Sequence, residues 1–100
     1  MNFNNFQTST ANDQPNPNLS PLLQSLWWDK KGNWEKAHNI AQDIHSKDGS
    51  WIHAYLHRKE GDIWNADYWY SKAGKSRPNT TLDEEWESLT LHFLEESVVG

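Results

Sequence analysis

Apolar residues recur along this chain at intervals of three and four positions, in five groups separated by short segments that contain glycine, proline or capping residues. An α-helix turns by about 100° per residue, so this spacing places the members of a group on a shared side of a helix. The pattern predicts an all-α fold of five helices, which begin near residues 20, 33, 50, 62 and 81. In the third helix the apolar residues fall on two sides, which is typical of a helix packed between others.

Capping residues indicate where these helices begin and end. Ser20 stands immediately before a proline, and this pair favours a helix start because serine accepts hydrogen bonds from free amides and proline has no amide to satisfy. Residues 47–49 (Lys-Asp-Gly) are expected to end the second helix, so that Ser50 caps the third. Thr81 and Glu84 have the spacing of a capping box, which predicts the start of the fifth helix.

An internal repeat relates the first two pairs of predicted helices. Residues 32–37 (GNWEKA) match residues 61–66 (GDIWNA) at an offset of 29 positions, and the same offset pairs the small residues Ser25 and Ala54. An offset of this size predicts two tandem helical hairpins that stack with a right-handed arrangement, with the fifth helix as a C-terminal cap. Residues 19–98 are therefore expected to form a single helical-repeat domain.

The first 18 residues have a different composition from the rest of the chain. They are rich in Asn, Gln, Ser, Thr and Pro, and Phe3 and Phe6 are their only aromatic residues. So little apolar surface does not offset the entropy lost on ordering a segment. Residues 1–18 are therefore predicted to be a disordered polar tail, with docking of the two phenylalanines on the domain or on a partner as the alternative.

Small, aromatic and turn residues follow a characteristic order in the second predicted hairpin: Gly61, Asp62, Ala66, Tyr70, Ala73 and Pro78. In this spacing the hairpin resembles the tetratricopeptide repeat, and residues 66–73 (ADYWYSKA) are similar to the end of a Sel1-like repeat. The resemblance implies a tetratricopeptide-like arrangement that binds a protein or peptide on a concave surface, without catalysis. Residues 51–62 and 66–70 also resemble a group of small uncharacterised bacterial proteins.

Composition, charge and missing motifs exclude several classes of function. The chain has no cysteine, which excludes disulfides, thiolate metal sites and cysteine nucleophiles. Neither a signal-peptide pattern nor a membrane-spanning apolar run is present, so we expect a cytoplasmic protein without a membrane partner. The net charge of −5 argues against a nucleic-acid partner. No phosphate-binding glycine loop or catalytic-triad signature occurs, so neither an enzyme activity nor a cofactor is expected.

Five residues are candidates for binding a partner. Trp51, Tyr55 and Arg58 are expected to line the hollow side of the hairpin pair. Trp64 and Tyr68 lie one turn apart, away from the apolar side of the fourth helix, and exposed aromatic pairs are typical of binding hot spots. The expected partner is an unidentified protein or peptide, or a second copy of the chain. The alternative is that these residues belong to the core, with Trp64 and Tyr68 covered by the fifth helix or the loop before it.

Three polar residues of the third predicted helix are candidates for a metal or small-ligand site. His53, His57 and Glu60 lie within an arc of about 60°, and histidines spaced i, i+4 can share one divalent ion with a carboxylate as a further ligand. Hydrogen bonding to neighbouring helices is the alternative. The remaining histidines are expected at the core edge or in solvent: His38, His45 and His92. The sequence thus predicts a small interaction module, with ligand binding at His53, His57 and Glu60 as the second hypothesis.

Overall fold

The computed structural model describes residues 1–98, and this part of the chain contains six helices and no strand. The helices are α1 (Phe3–Ser9), α2 (Pro21–Lys31), α3 (Trp34–Gln42), α4 (Lys47–Glu60), α5 (Ile63–Ala73) and α6 (Leu82–Val98). The predicted all-α class is confirmed. None of these helices combines the length and the apolar character that crossing a bilayer requires.

The most extensive helix packing is within two consecutive helix pairs, α2 with α3 and α4 with α5. Each pair is joined by a glycine in the left-handed conformation, Gly32 with φ 98° and Gly61 with φ 92°. Glycine is favoured there because a Cβ would strain the backbone. The next residue caps the following helix: Asn33 accepts from the Lys36 amide at 3.1 Å, and Asp62 from the Asn65 amide at 3.3 Å. The repeated sequence segments therefore form two similar turns.

The boundary between α3 and α4 differs from the prediction. Helix α3 ends at Gln42, and α4 begins at Lys47 with Ser46 as its cap, so the prediction that residues 47–49 end a helix is wrong. Gly49 lies inside α4 because the preceding loop crosses directly over it. A Cβ at Gly49 would stand 2.1 Å from the carbonyl oxygen of Ile44. This glycine permits a close backbone approach and does not break the helix.

The N-terminal segment also differs from the prediction. Instead of a disordered tail over residues 1–18, the structure has the helix α1, in which Phe6 is fully buried. The rings of Phe3 and Phe6 lie 5.8 and 6.1 Å from the ring of Trp86, between centroids. Trp27 Nε1 also donates a hydrogen bond of 3.0 Å to Ser9 Oγ. Contacts with distant tryptophans thus supply the apolar burial that the segment lacks by itself. This arrangement agrees with the alternative that the two phenylalanines dock on the domain.

Helix α6 packs across α2 and α4, beside α1. It begins with the expected reciprocal cap, in which the Glu84 amide donates to Thr81 Oγ1 at 3.1 Å and the Thr81 amide donates to Glu84 Oε1 at 2.9 Å. Hydrogen bonding of the Glu84 carboxylate to the backbone amide of Thr81, and then to the Thr81 hydroxyl, lowers the pKa of Glu84. Trp86 is buried and donates from Nε1 to the Leu26 carbonyl oxygen at 3.0 Å. Helices α1 and α6 together therefore cover one side of the α2 and α4 pair.

Candidate metal centre

Three histidines from two helices form one cluster. His38 comes from α3, and His53 and His57 come from successive turns of α4. The Nε2 atoms of His38 and His53 are 3.0 Å apart, and one ring nitrogen from each of the three residues lies within 4.8 Å of the others. His53 and His57 are buried and His38 is half-buried. The predicted i, i+4 pair thus lies together, and a third imidazole joins it.

His38 reaches the cluster because Trp34 attaches the first turn of α3 to α4. Trp34 Nε1 donates a hydrogen bond of 2.8 Å to the carbonyl oxygen of Leu56, the residue before His57. His38 was expected only at the core edge or in solvent. Spacing within α3 contains no information about its distance from α4, so sequence reasoning missed this residue.

Two tryptophans enclose the cluster. The ring of Trp34 stacks on His38 with centroids 4.8 Å apart, and the ring of Trp69, from α5, stacks on His53 at 4.1 Å. His53 also stacks on His57 at 4.7 Å. These rings exclude water from much of the imidazole surface and hold the imidazoles in a limited set of orientations.

Burial and mutual repulsion favour the neutral form of two of these histidines. Burial, followed by the charges of His38 and His57, lowers the pKa of His53 to about 4. Burial, followed by the charge of His57, also lowers the pKa of His38, against smaller opposing effects of Asn39 and Glu60. Neutral imidazole is the form that binds a metal ion, because the ion needs the free lone pair of a ring nitrogen. Two of the three candidate ligands are therefore in the binding form at neutral pH.

The distance between the Nε2 atoms of His38 and His53 is close to the spacing of two nitrogen ligands that share one metal ion. In the absence of an ion, one Nε2 carries the proton of their 3.0 Å hydrogen bond and the other accepts it. Zinc binds imidazole nitrogen at about 2.0–2.1 Å, which places two such ligands about 3.4 Å apart in a tetrahedral site. A divalent ion would replace the shared proton after a widening of a few tenths of an ångström.

Glu60 lies behind His57 and is not part of the three-histidine set. Its Oε2 is 2.6 Å from Nδ1 of His57, and because an ionised carboxylate only accepts hydrogen bonds, Nδ1 carries the proton. This arrangement leaves the lone pair of His57 on Nε2, as in metal centres where a carboxylate orients a ligating histidine. A second possible donor set combines His57 and Glu60 with Asp62, but both carboxylates are exposed there.

The predicted hollow side is not open within the part of the chain that the structure describes. Tyr55 is buried and donates from its hydroxyl to Asp29 Oδ2 at 2.7 Å. Arg58 donates to Glu85 Oε1 of α6 at 2.7 Å, and Trp51 is half-buried against the same helix. The pKa of the Tyr55 hydroxyl is raised by its burial and by the charge of Asp29. Trp51 and Arg58 therefore contact α6, and Tyr55 forms its hydrogen bond with α2.

The other two candidates, Trp64 and Tyr68, lie on the outer surface of α5. Their exposed fractions are 81% and 49%, so neither α6 nor the preceding loop covers them. At the repeat offset they correspond to Glu35 and Asn39, which are exposed polar residues of α3. The same surface position is thus polar in the first hairpin and aromatic in the second. The fold does not require aromatic side chains at these positions.

No family model, curated protein or solved structure matches this chain. The resemblance to tetratricopeptide and Sel1-like repeats therefore stays a prediction. The positions of the side chains, above all the three histidines and the two exposed aromatic residues, are the basis for assigning a function.

Proposed function

We propose that this chain binds a divalent transition-metal ion through His38, His53 and His57, with Glu60 orienting His57. The observation that carries the proposal is the convergence of three ring nitrogens within 4.8 Å in a mostly buried cluster. Three imidazoles that leave one position free are typical of zinc centres that bind a further ligand, and imidazole also suits copper and nickel. The proposed function is binding, and no reaction is part of it.

Three features support this function over simple packing of histidines. The low pKa of His53 and of His38 provides neutral ligands at neutral pH. The hydrogen bond from His57 to Glu60 gives the third ligand a defined tautomer. The Nε2 atoms of His38 and His53 already point at each other across a distance close to that of two zinc ligands.

Zinc titration of the purified protein tests the proposal. Isothermal calorimetry is expected to give one site per chain, and the imidazole ¹⁵N signals of the three cluster histidines should shift together. H38N is the decisive variant, because it leaves the i, i+4 pair of α4 intact and should still weaken zinc binding at least about tenfold. H92Q, which removes a histidine outside the cluster, is the matched control. Zinc affinity that is unchanged in H38N would contradict the three-histidine site.

A second candidate function is binding of a protein, either a partner or a second copy of the chain, through Trp64 and Tyr68. The observation that favours it is the replacement of Glu35 and Asn39 by two exposed aromatic residues at the repeat offset. Exposed aromatic side chains bury a large area on binding at a small cost in rotamer entropy.

The double variant W64E/Y68N tests this second function, because it places the first hairpin's residues at these positions of the second hairpin. Sedimentation velocity over a range of concentrations should show self-association of the native chain and loss of it in the variant. The melting temperature should stay nearly the same, since both side chains are exposed and neither belongs to the core. A native chain that is monomeric at every concentration would exclude the second copy as the partner, and a large loss of stability would assign the pair a structural role.

A further inference from the structure

A surface cavity of about 380 Å³ opens next to the histidine cluster. Its lining includes His45 of the loop between α3 and α4, Lys47 at the start of α4, and two residues of α5, Trp69 and Lys72. His53 also lines the cavity, which therefore reaches the cluster at that residue. Cavities that bind small molecules typically have volumes of about 300–1,000 Å³, and this cavity falls in that range.

The charge of the cavity is opposite to that of the whole chain. The protein has 14 acidic and 9 basic residues, yet no described residue that lines the cavity is acidic, and two of them are lysines. Asp43 and Asp48 belong to the same stretch of chain but do not line it. A cavity with cationic walls in an acidic protein attracts small anions, because the local field differs from the average field.

Lys72 has a defined position at this cavity. Its ammonium group lies 5.2 Å from the ring centroid of Trp69 and 5.4 Å from that of Tyr68. Cations above aromatic faces are held by the quadrupole of the ring, so less rotamer freedom is lost when the lysine binds a ligand. Trp69 in turn stacks on His53, which connects the lysine to the cluster through one aromatic ring.

We propose that this cavity binds a metabolite-sized carboxylate or phosphate compound through its oxyanion, with Lys47 and Lys72 as the cationic contacts. Binding of the anion does not need the metal. A divalent ion at His53 would add positive charge to the lining of the cavity, so metal and anion should strengthen each other's binding. Only this coupling rests on the proposed function.

Titration of the metal-free protein with inorganic phosphate, and separately with acetate, tests the site at constant ionic strength. Amide ¹H–¹⁵N spectra should show saturable shifts confined to the residues around the cavity. The variant K72M should weaken binding about tenfold, because it removes a charge-assisted hydrogen bond, and K72R should retain most of it. Melting curves of each variant verify that the fold is intact.

K75M is the matched control. Lys75 also lies over a tryptophan ring, 4.3 Å from the centroid of Trp51, but it does not line this cavity. Its substitution removes the same charge and the same kind of cation–π contact, so phosphate affinity should stay unchanged. An equal loss in K75M and K72M, equal shifts with chloride, or the absence of saturable shifts would each overturn the anion site.

A comparison with and without zinc distinguishes the anion site from the proposed metal site. Acetate affinity is measured with and without zinc, because acetate does not precipitate the metal as phosphate does. Tighter acetate binding in the zinc-loaded protein supports the coupling, and equal affinity overturns the coupling while the anion site stands. If zinc does not bind at all, the proposed metal function fails, and the anion site is still decided by the metal-free titration.

Discussion

The histidine cluster shows how single residues acquire properties from their neighbours. His53 has an unremarkable position in the sequence, one turn before another histidine, but the ring of Trp69 and two adjacent imidazoles surround it in the fold. These neighbours disfavour its charged form. The same environment that makes protonation costly keeps the lone pairs available for a metal ion.

The low pKa of His53 predicts how stability depends on pH in the metal-free protein. Between pH 6.5, the ordinary pKa, and about 4, the unfolded chain binds the proton and the folded chain does not. The stability that the neutral form of His53 contributes should therefore be complete above pH 6.5. The free energy of unfolding should fall as the pH decreases from 6.5 toward 4. H53Q should show a flatter dependence in denaturant titrations over this window. Equal slopes in H53Q and the native protein would argue against a buried neutral His53.

Glu60 provides a second test at the scale of one residue. E60Q keeps all three proposed ligands but weakens the partner that holds the proton on His57 Nδ1. Substitutions of this kind typically reduce metal affinity about 10–100-fold, and we expect a loss in this range by calorimetry with zinc. E87Q removes an equal charge at an exposed position of α6 and should bind zinc as the native chain does. Equal affinities of the two variants would mean that Glu60 does not orient His57.

At the scale of helices, the close contacts between elements determine where α4 begins. Lys-Asp-Gly is typical of a helix end when only the local sequence is considered, but in the structure α4 runs through it. The Ile44 carbonyl occupies the space that a side chain at position 49 would need. A residue that weakens the isolated helix is therefore necessary for the packing of the loop.

The variant G49A distinguishes these two roles of glycine. In an exposed helix interior, glycine to alanine stabilises by about 1 kcal/mol, because alanine has the higher helix propensity. Here the added Cβ meets backbone atoms, and we expect destabilisation by about 3 kcal/mol in urea unfolding. S50A, at the next position of α4, is the control and should change stability by less than about 0.5 kcal/mol. Stabilisation of G49A would show that the loop lies farther from α4.

At the scale of the whole molecule, α1 and α6 decide which surfaces remain available for binding. They cover the side of α2 and α4 on which the sequence predicted a hollow, and Trp86 contacts both α1 and α2 there. The candidate sites that remain lie on the side of α3 and α5: the histidine cluster, the cationic cavity and the exposed pair Trp64 and Tyr68. A peptide that binds on the covered side would have to displace α6.

The variant F6A tests how much the docking of α1 contributes to the stability of the protein. Phe6 is fully buried against Trp86, and removal of a buried phenylalanine side chain costs about 3–5 kcal/mol. We expect a loss near 3 kcal/mol in denaturant unfolding, since α1 can separate locally before the remaining helices unfold. F3A, on the half-buried residue of the same helix, should cost less. An F6A variant with native stability would mean that α1 is not docked in solution.

The sequence by itself determined the features that depend on neighbours within a few positions. Helical spacing, the cap at Ser20 and the glycine turn at Gly32 follow from the geometry of one turn of backbone, and so does the shared face of His53 and His57. The offset of 29 residues also placed two similar turns correctly, because equal local sequences form equal local structures.

Only the tertiary structure decided the features that depend on distances between helices. His38 joins the cluster because Trp34 attaches α3 to α4, α1 forms because Phe6 meets Trp86, and Arg58 is paired because Glu85 of α6 lies against α4. Each of these contacts joins residues that are far apart in the chain. Their formation depends on how side chains from several helices fill a common space, and the periodicity of a single helix contains no information about that space.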